Sequence, residues 1–217
     1  MSNMLRYLAE RINEVLLIRH ACQQTCNNPQ AAARSYLCGM RKLSMEELNR
    51  LTVADFKNTQ KFPLTLVLDN VRSLHNVGAA FRTADAFAIE KIWLCGITGR
   101  PPQREITKTA LGSTESVAWE YAPTTTDIIG QLKAAGYVVV AVEQTTGSQS
   151  LTTFQPEQNR PYALVMGNEV FGVEDEVLAL CDAAVEIPQF GTKHSLNVSV
   201  AAGVVLWDFI SKLGNRG

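Results

Sequence analysis

Leu64 to Phe87 reads LTLVLDNVRSLHNVGAAFRTADAF. It opens on an uninterrupted run of apolar and β-branched residues, the pattern of a strand buried on both faces. After Asp69 and Asn70 the rhythm changes. From Val77 on, small and apolar residues dominate, with Arg82 and Asp85 the charged exceptions, and a helix over 76–88 is expected. Four more runs of strand length lie downstream: KIWLCGI, YVVVAVEQ, YALVMGNE and AAVEIPQF. Helical segments at 127–135, 172–181 and 195–213 separate most of them. Strands apolar on both faces that alternate with helices predict an α/β fold, a parallel sheet with helices on both faces, over residues 61–217. Residues 1–60 read instead as a short helical extension. Leu5, Leu8, Ile12, Val15 and Leu16 form one amphipathic stripe, NNPQ breaks it, and Ser44 with Glu47 makes a capping-box pattern.

Composition narrows the function classes. Basic and acidic residues nearly balance, 20 against 21, and 46% of residues are hydrophobic, which fits a globular protein and argues against a disordered or strongly basic one. Residues 1–60 carry eight basic and five acidic residues, so this part is the one suited to an anionic partner, although solvated helix faces explain it equally. No run approaches the roughly 20 apolar residues of a membrane span. The five scattered cysteines suit free thiols in a reducing cytoplasm. His20, Cys22 and Cys26 lack a second ligand cluster, so no metal is expected.

In parallel sheets, ligands bind beyond the carboxyl ends of the strands. Three segments occupy such positions: DNVRSLHNVGAAFRTADAF (69–87), GNEVFG (167–172) and PQFGTKHSLN (188–197). None is a GxGxxG or GxxxxGK[ST] loop, which removes most support for ordinary dinucleotide or P-loop binding. In the first, Asn76 is placed to cap a helix beginning at Gly78. Arg82 is costly to bury without an anionic partner, and Asp85 is placed to pair with it. In the second, Glu169 is a carboxylate at a strand's carboxyl end, and Glu174 and Asp175 suit the start of a helix. In the third, Ser195 or Asn197 is placed to cap the last helix.

In that order and spacing, NVGAAFRTADAF, LVMGNEVFGV and IPQFGTKHSLNVSVAAGVVL resemble the SpoU/TrmH-type RNA 2′-O-ribose methyltransferases of the SPOUT superfamily. KTALGSTESV also resembles a family segment, and the likeness runs from about Leu64 to Leu213. It implies a C-terminal deep trefoil knot, S-adenosylmethionine bound among the knot loops, a homodimer with the active site formed across it, and an RNA substrate. Transfer RNA is slightly favoured over ribosomal RNA. Carried onto this chain, the resemblance makes Arg82 the catalytic arginine, with Asn76, Glu169, Ser195 and Asn197 as companions. Gln144, Gly167, Ile187, Gln189, Gly191, Ser195 and Leu196 fall in the cofactor loops. Arg72, Lys108, Lys193 and His194 are RNA-contact candidates, as are Arg100 and Arg104. Because a guanidinium gives up its proton only above ~12, Arg82 is read as a cation that stabilises a developing alkoxide, the family's alternative role being general base. The competing reading is a catalytically silent, knotted RNA-binding protein.

Overall fold

The computed structural model describes residues 41–214. Leu51–Gly214 form one compact unit, and residues 41–50 belong to another. The stripe from Leu5 to Leu16 and the His20, Cys22 and Cys26 group lie outside the described residues. Ser44 and Glu47 exchange both bonds of the capping box, Ser44 N–H to Glu47 Oε2 at 2.8 Å and Glu47 N–H to Ser44 Oγ at 3.3 Å. They close a turn rather than a helix, because Asn49 turns the chain at φ 45°.

The compact unit opens with α1 (Val53–Asn58), whose cap Thr52 accepts from the Asp55 N–H. There follow β1 (Phe62–Asp69), α2 (Leu74–Ala86), β2 (Ile89–Cys95), α3 (Arg104–Ala110), α4 (Ser113–Ser116) and β3 (Trp119–Ala122). Then come α5 (Thr125–Ala134), β4 (Val138–Val142), β5 (Gln149–Ser150), β6 (Tyr162–Met166), α6 (Asp175–Leu178), β7 (Ala183–Glu186) and α7 (Val198–Leu213). The seven strands lie in the order β3-β2-β1-β6-β4-β7-β5, and every pair is parallel. The chain first builds outward from β1 to β3. It then returns and inserts β6 between β1 and β4, so the ends of β1, β6, β4 and β7 stand side by side.

The expected parallel sheet is therefore present, with both faces covered. Alternate residues of β1 divide between two cores. Leu64, Leu66 and Leu68 pack with Val77, Phe81, Ile106, Ala202, Leu206 and Phe209 from α2, α3 and α7. Val67 packs with Ile128, Ile129, Leu132 and Val177 from α5 and α6. At about 1.5–3 kcal/mol for each large apolar side chain fully buried, these two layers supply the bulk of the stabilisation. Phe81 meets Trp119 edge to face, with ring centroids 6.3 Å apart. Gly78 allows α2 to lie against α3, since a Cβ there would fall 1.9 Å from Thr109 Oγ1 and 2.5 Å from the Ile106 carbonyl.

Several boundaries differ from expectation. The helix of the opening stretch begins at Leu74 and is capped by Ser73, whose Oγ accepts from the Asn76 N–H; Asn76 is inside its first turn. The helix expected over 172–181 shrinks to 175–178, because residues 168–172 are bridged to each other and Gly172 takes φ 72°. The last helix starts at Val198, capped by Asn197 and not by Ser195. Strands β3 and β5 and helices α3 and α4 were not anticipated. β3 is four residues long and partly exposed, and β5 is two, too short for a periodicity to show. Among the described residues, no helix is long and apolar enough to cross a membrane, and no group of three His, Cys, Asp or Glu side chains is placed to hold a metal. Cys95 and Cys181 are free thiols, and burial pushes them up to about 12 and about 11.

Candidate active site

The loop after β1 is fixed by its own polar residues. Asp69 is fully buried, and its Oδ1 accepts from Thr125 Oγ1 at 2.5 Å. Asn70 takes the left-handed conformation at φ 53°, one of the few non-glycine types that tolerates it. Its Oδ1 accepts from the Ile97 N–H, and its Nδ2 donates to Glu174 Oε1 at 2.9 Å. Across the sheet, Asn168 Nδ2 donates to the Asn70 carbonyl at 2.8 Å, while Asn168 Oδ1 accepts from the N–H groups of Val170 and Phe171. The loops after β1 and β6 are thereby locked to one another.

Glu169 lies at the centre of the next layer of bonds. Its Oε2 accepts from the Arg72 N–H, and its Oε1 accepts from the Ser73 N–H and from Asn76 Nδ2, all at 2.9 Å. These two N–H groups belong to the cap Ser73 and the residue before it, where the positive end of the helix dipole of α2 favours a carboxylate. Asn76 Oδ1 accepts in turn from Asn197 Nδ2 at 3.0 Å. Asn197 Oδ1 accepts from the Ser199 and Val200 N–H groups at the start of α7. Three segments far apart in sequence thus converge in one relay, Glu169–Asn76–Asn197.

Beside this relay is a cavity of about 420 Å³, within the range of small-molecule sites. Residues from the ends of β4, β6 and β7 and from the start of α7 line it. Val142, Met166, Val185, Ile187, Leu196 and Ala201 provide apolar walls, and Glu143, Gln144, Asn168, Glu169 and Glu186 provide polar groups. Gln144 Nε2 donates to the His194 carbonyl at 2.8 Å, which ties the β4 end to the loop after β7.

Residues 63–207 match the family model described as the SpoU rRNA Methylase family. The chain belongs to that family. It is 32% identical over 162 residues to the tRNA (guanosine(18)-2′-O)-methyltransferase of Thermus thermophilus, covering 75% of this chain and 81% of that one. It is also 32% identical to the 23S rRNA (guanosine-2′-O-)-methyltransferase RlmB of Vibrio parahaemolyticus, over 76% of this chain and 66% of that one. Among solved structures, an AdoMet-bound rRNA methyltransferase from Sinorhizobium meliloti superposes with a TM-score of 0.66 at 33% identity, covering 74% of this chain and 61% of that one.

Against this SpoU-family framework, the structure brings together four of the five candidate catalytic residues. Asn76, Glu169 and Asn197 form the relay, and Ser195 lines the cavity. Arg82 stands apart. It is exposed, and it lines an open groove between α2 and α7 with Phe87, Val200, Val204 and Trp207. The expected Arg82–Asp85 pair is replaced by a bond from Ser116 Oγ to Asp85 Oδ2. Of the cofactor-loop candidates, Gln144, Gly167, Ile187, Gln189, Ser195 and Leu196 line the cavity; Gly191 does not and sits exposed in the loop after β7. Arg72, Lys108, Lys193 and His194 are all exposed. Sequence reasoning missed Glu143, a carboxylate closing the apolar run VVVAV. Its Oε1 accepts from the Gln144 N–H and its Oε2 from the Val173 N–H.

Glu169 lies below the usual carboxylate range. Partial burial alone would raise it, but the N–H groups of Arg72 and Ser73 and the Asn76 amide favour the ionised form and outweigh burial. A depressed folded-state value contributes stability that is complete above the unfolded value of about 4.3 and is lost as pH falls through the folded one. Glu169→Gln is therefore expected to lower the urea midpoint at pH 7. The gap to wild type should narrow as pH falls below the unfolded value of about 4.3 and close only once pH has passed the depressed folded value, where both proteins carry a neutral side chain. An equal gap at both pH values would show that the charge is not what holds the relay.

Proposed function

We propose that the protein transfers a methyl group from S-adenosylmethionine to a ribose 2′-hydroxyl of structured RNA, transfer RNA ahead of ribosomal RNA. Relatives acting on both RNA classes are similar to this chain. The observation that carries the reading is the Glu169–Asn76–Asn197 relay at the edge of a cavity built from strand ends. The cavity suits the cofactor: strand-end backbone groups around Gln144 and Gly167 offer hydrogen bonds to its polar edges, and Ile187 and Leu196 offer apolar walls. When bound, S-adenosylmethionine supplies an electrophilic methyl group on a positively charged sulfur.

The side chains of the chain divide the remaining work. Glu169 is committed to three donors, which suits it to fixing Asn76 and the 72–73 backbone rather than to taking a proton. Ser195 and Asn197 bring the start of α7 to the cavity edge. Arg82 supplies positive charge for the oxygen of the ribose as its proton leaves. Its place outside the cavity supports a homodimer, in which the α2–α7 groove receives a second copy and Arg82 serves the composite site. The groove exposes Val200, Val204 and 61% of Trp207, apolar surface that association would cover. Trp207→Glu is expected to convert a sedimenting dimer into a monomer with little methyl transfer; a monomeric wild type would overturn the dimer.

We further read the loops after β4, β6 and β7 as those of a deep trefoil knot. Arg72, Lys108, Lys193 and His194, exposed near these loops or on α3, are taken as phosphate contacts. Free Cys95 and Cys181 support a reducing, cytoplasmic setting. The deciding experiment incubates the protein with labelled S-adenosylmethionine and, separately, unmodified transfer and ribosomal RNA, then maps 2′-O-methyl sites. Label in transfer RNA at one position is the expected result. No label in either, with the cofactor bound in calorimetry, would favour a silent RNA-binding protein.

A further inference from the structure

The cavity carries more negative charge than its hydrogen bonding requires. Glu143, Glu169 and Glu186 line it, and its described lining contains no Lys, Arg or His. Each carboxylate is held by neutral donors: Glu143 by the N–H groups of Gln144 and Val173, Glu169 by Arg72 and Ser73 N–H and the Asn76 amide, and Glu186 by Ser148 Oγ at 2.9 Å. None of the three takes part in an ion pair among the described residues. Such groups raise the affinity of a cation over a neutral ligand of the same shape, and low-dielectric walls enlarge the difference.

We infer that Glu143 and Glu186 are specificity-determining residues that make the cavity select the positively charged cofactor over its uncharged product. The inference rests on the S-adenosylmethionine reading above. In the transfer, the carbon–sulfur bond breaks, its electron pair stays on sulfur, and the methyl bonds to the ribose oxygen, whose proton passes to solvent water. The sulfur thus passes from a cation to a neutral thioether while the rest of the molecule is unchanged. A cavity lined by carboxylates holds the first form and loosens its grip on the second, which couples completion of the reaction to departure of the product.

Calorimetric titration separates this from a role in shape alone. Wild type, Glu186→Gln and Glu143→Gln are each titrated with S-adenosylmethionine, with sinefungin, which carries an ammonium in place of the sulfonium, and with S-adenosylhomocysteine. Wild type is expected to prefer the two cationic ligands over S-adenosylhomocysteine by about tenfold, and each variant to reduce that preference about threefold. Glu186→Gln is decisive should Glu143→Gln misfold, since Glu186 holds only a serine hydroxyl. An equal change in affinity for all three ligands, or an unchanged ratio, overturns the inference and leaves the cofactor reading intact. Failure of wild type to bind any of the three overturns both.

Discussion

Arg82→Ala is expected to lower turnover by about 10²–10³-fold or more, while the dissociation constant for S-adenosylmethionine stays within about twofold of wild type. The expectation rests on a separation that the structure makes visible. The cavity walls come from the ends of β4, β6 and β7 and the start of α7, and Arg82 is not among them, so its removal leaves the walls of the proposed cofactor cavity in place. Its exposed guanidinium is available to an anion arriving from outside, whether the ribose oxygen as it loses its proton or a neighbouring phosphate. Arg82→Lys keeps the charge and loses the planar fork, and is expected to recover part of the rate. Single-turnover methylation of transfer RNA, measured beside calorimetry on the same samples, checks both halves. Near-normal turnover in Arg82→Ala would remove the residue from the mechanism.

Gly167→Ala is expected to destabilise the fold by about 3 kcal/mol and to weaken cofactor binding at least tenfold. A Cβ at Gly167 would lie 2.2 Å from both the Gly172 carbonyl carbon and the Val173 nitrogen, and 2.4 Å from the Gly172 oxygen. All three are backbone atoms, so no side-chain rotation relieves the clash. Nor is the facing loop free to retreat. Asn168 and Gly172 exchange two backbone bonds of 2.8 and 2.9 Å, Asn168 Nδ2 is tied to the Asn70 carbonyl, and Val173 N–H is tied to Glu143. A displacement large enough to admit one methyl group breaks several of these together and moves Glu169 away from Asn76. Gly147→Ala is the matching control, because a Cβ there meets nothing within 4 Å. It should change stability by less than about 0.5 kcal/mol. Urea denaturation and calorimetry on both variants make the comparison, and a Gly167→Ala protein as stable as the control would refute the packing argument.

The sequence was most informative where one physical demand controlled the residue choice. Leu64 to Leu68 had to be apolar on both faces, so the central strand and the sheet class were legible. Asn76, Glu169 and Asn197 each stood beyond a strand, and the family resemblance grouped them before any distance was known. The bonds that join them were not legible, because separations of 93 and 121 residues carry no local signal. The place of Arg82 was partly legible and went unread. Six residues at about 100° each put Arg82 about 240° around the helix from Asn76, so the two cannot share a face. Asn168 illustrates the opposite limit. Its amide locks two loops through the Asn70 carbonyl, yet a polar residue in a glycine-bounded turn looks like any other. Glu143 escaped notice because it ends an apolar run, where a single carboxylate resembles ordinary strand termination.

The relay also bears on how the protein comes into being. On a growing chain, Asn76 emerges 121 positions before the amide of Asn197 that its side chain accepts from. Glu169 arrives between them, and closing loops of this length is entropically costly and slow. Copies that are unfinished, or clipped ahead of α7, lack the last member of the relay and with it the rim of the cavity. On the methyltransferase reading, methyl transfer is therefore expected only once synthesis and folding are both complete, and copies truncated ahead of α7 are expected to lack it.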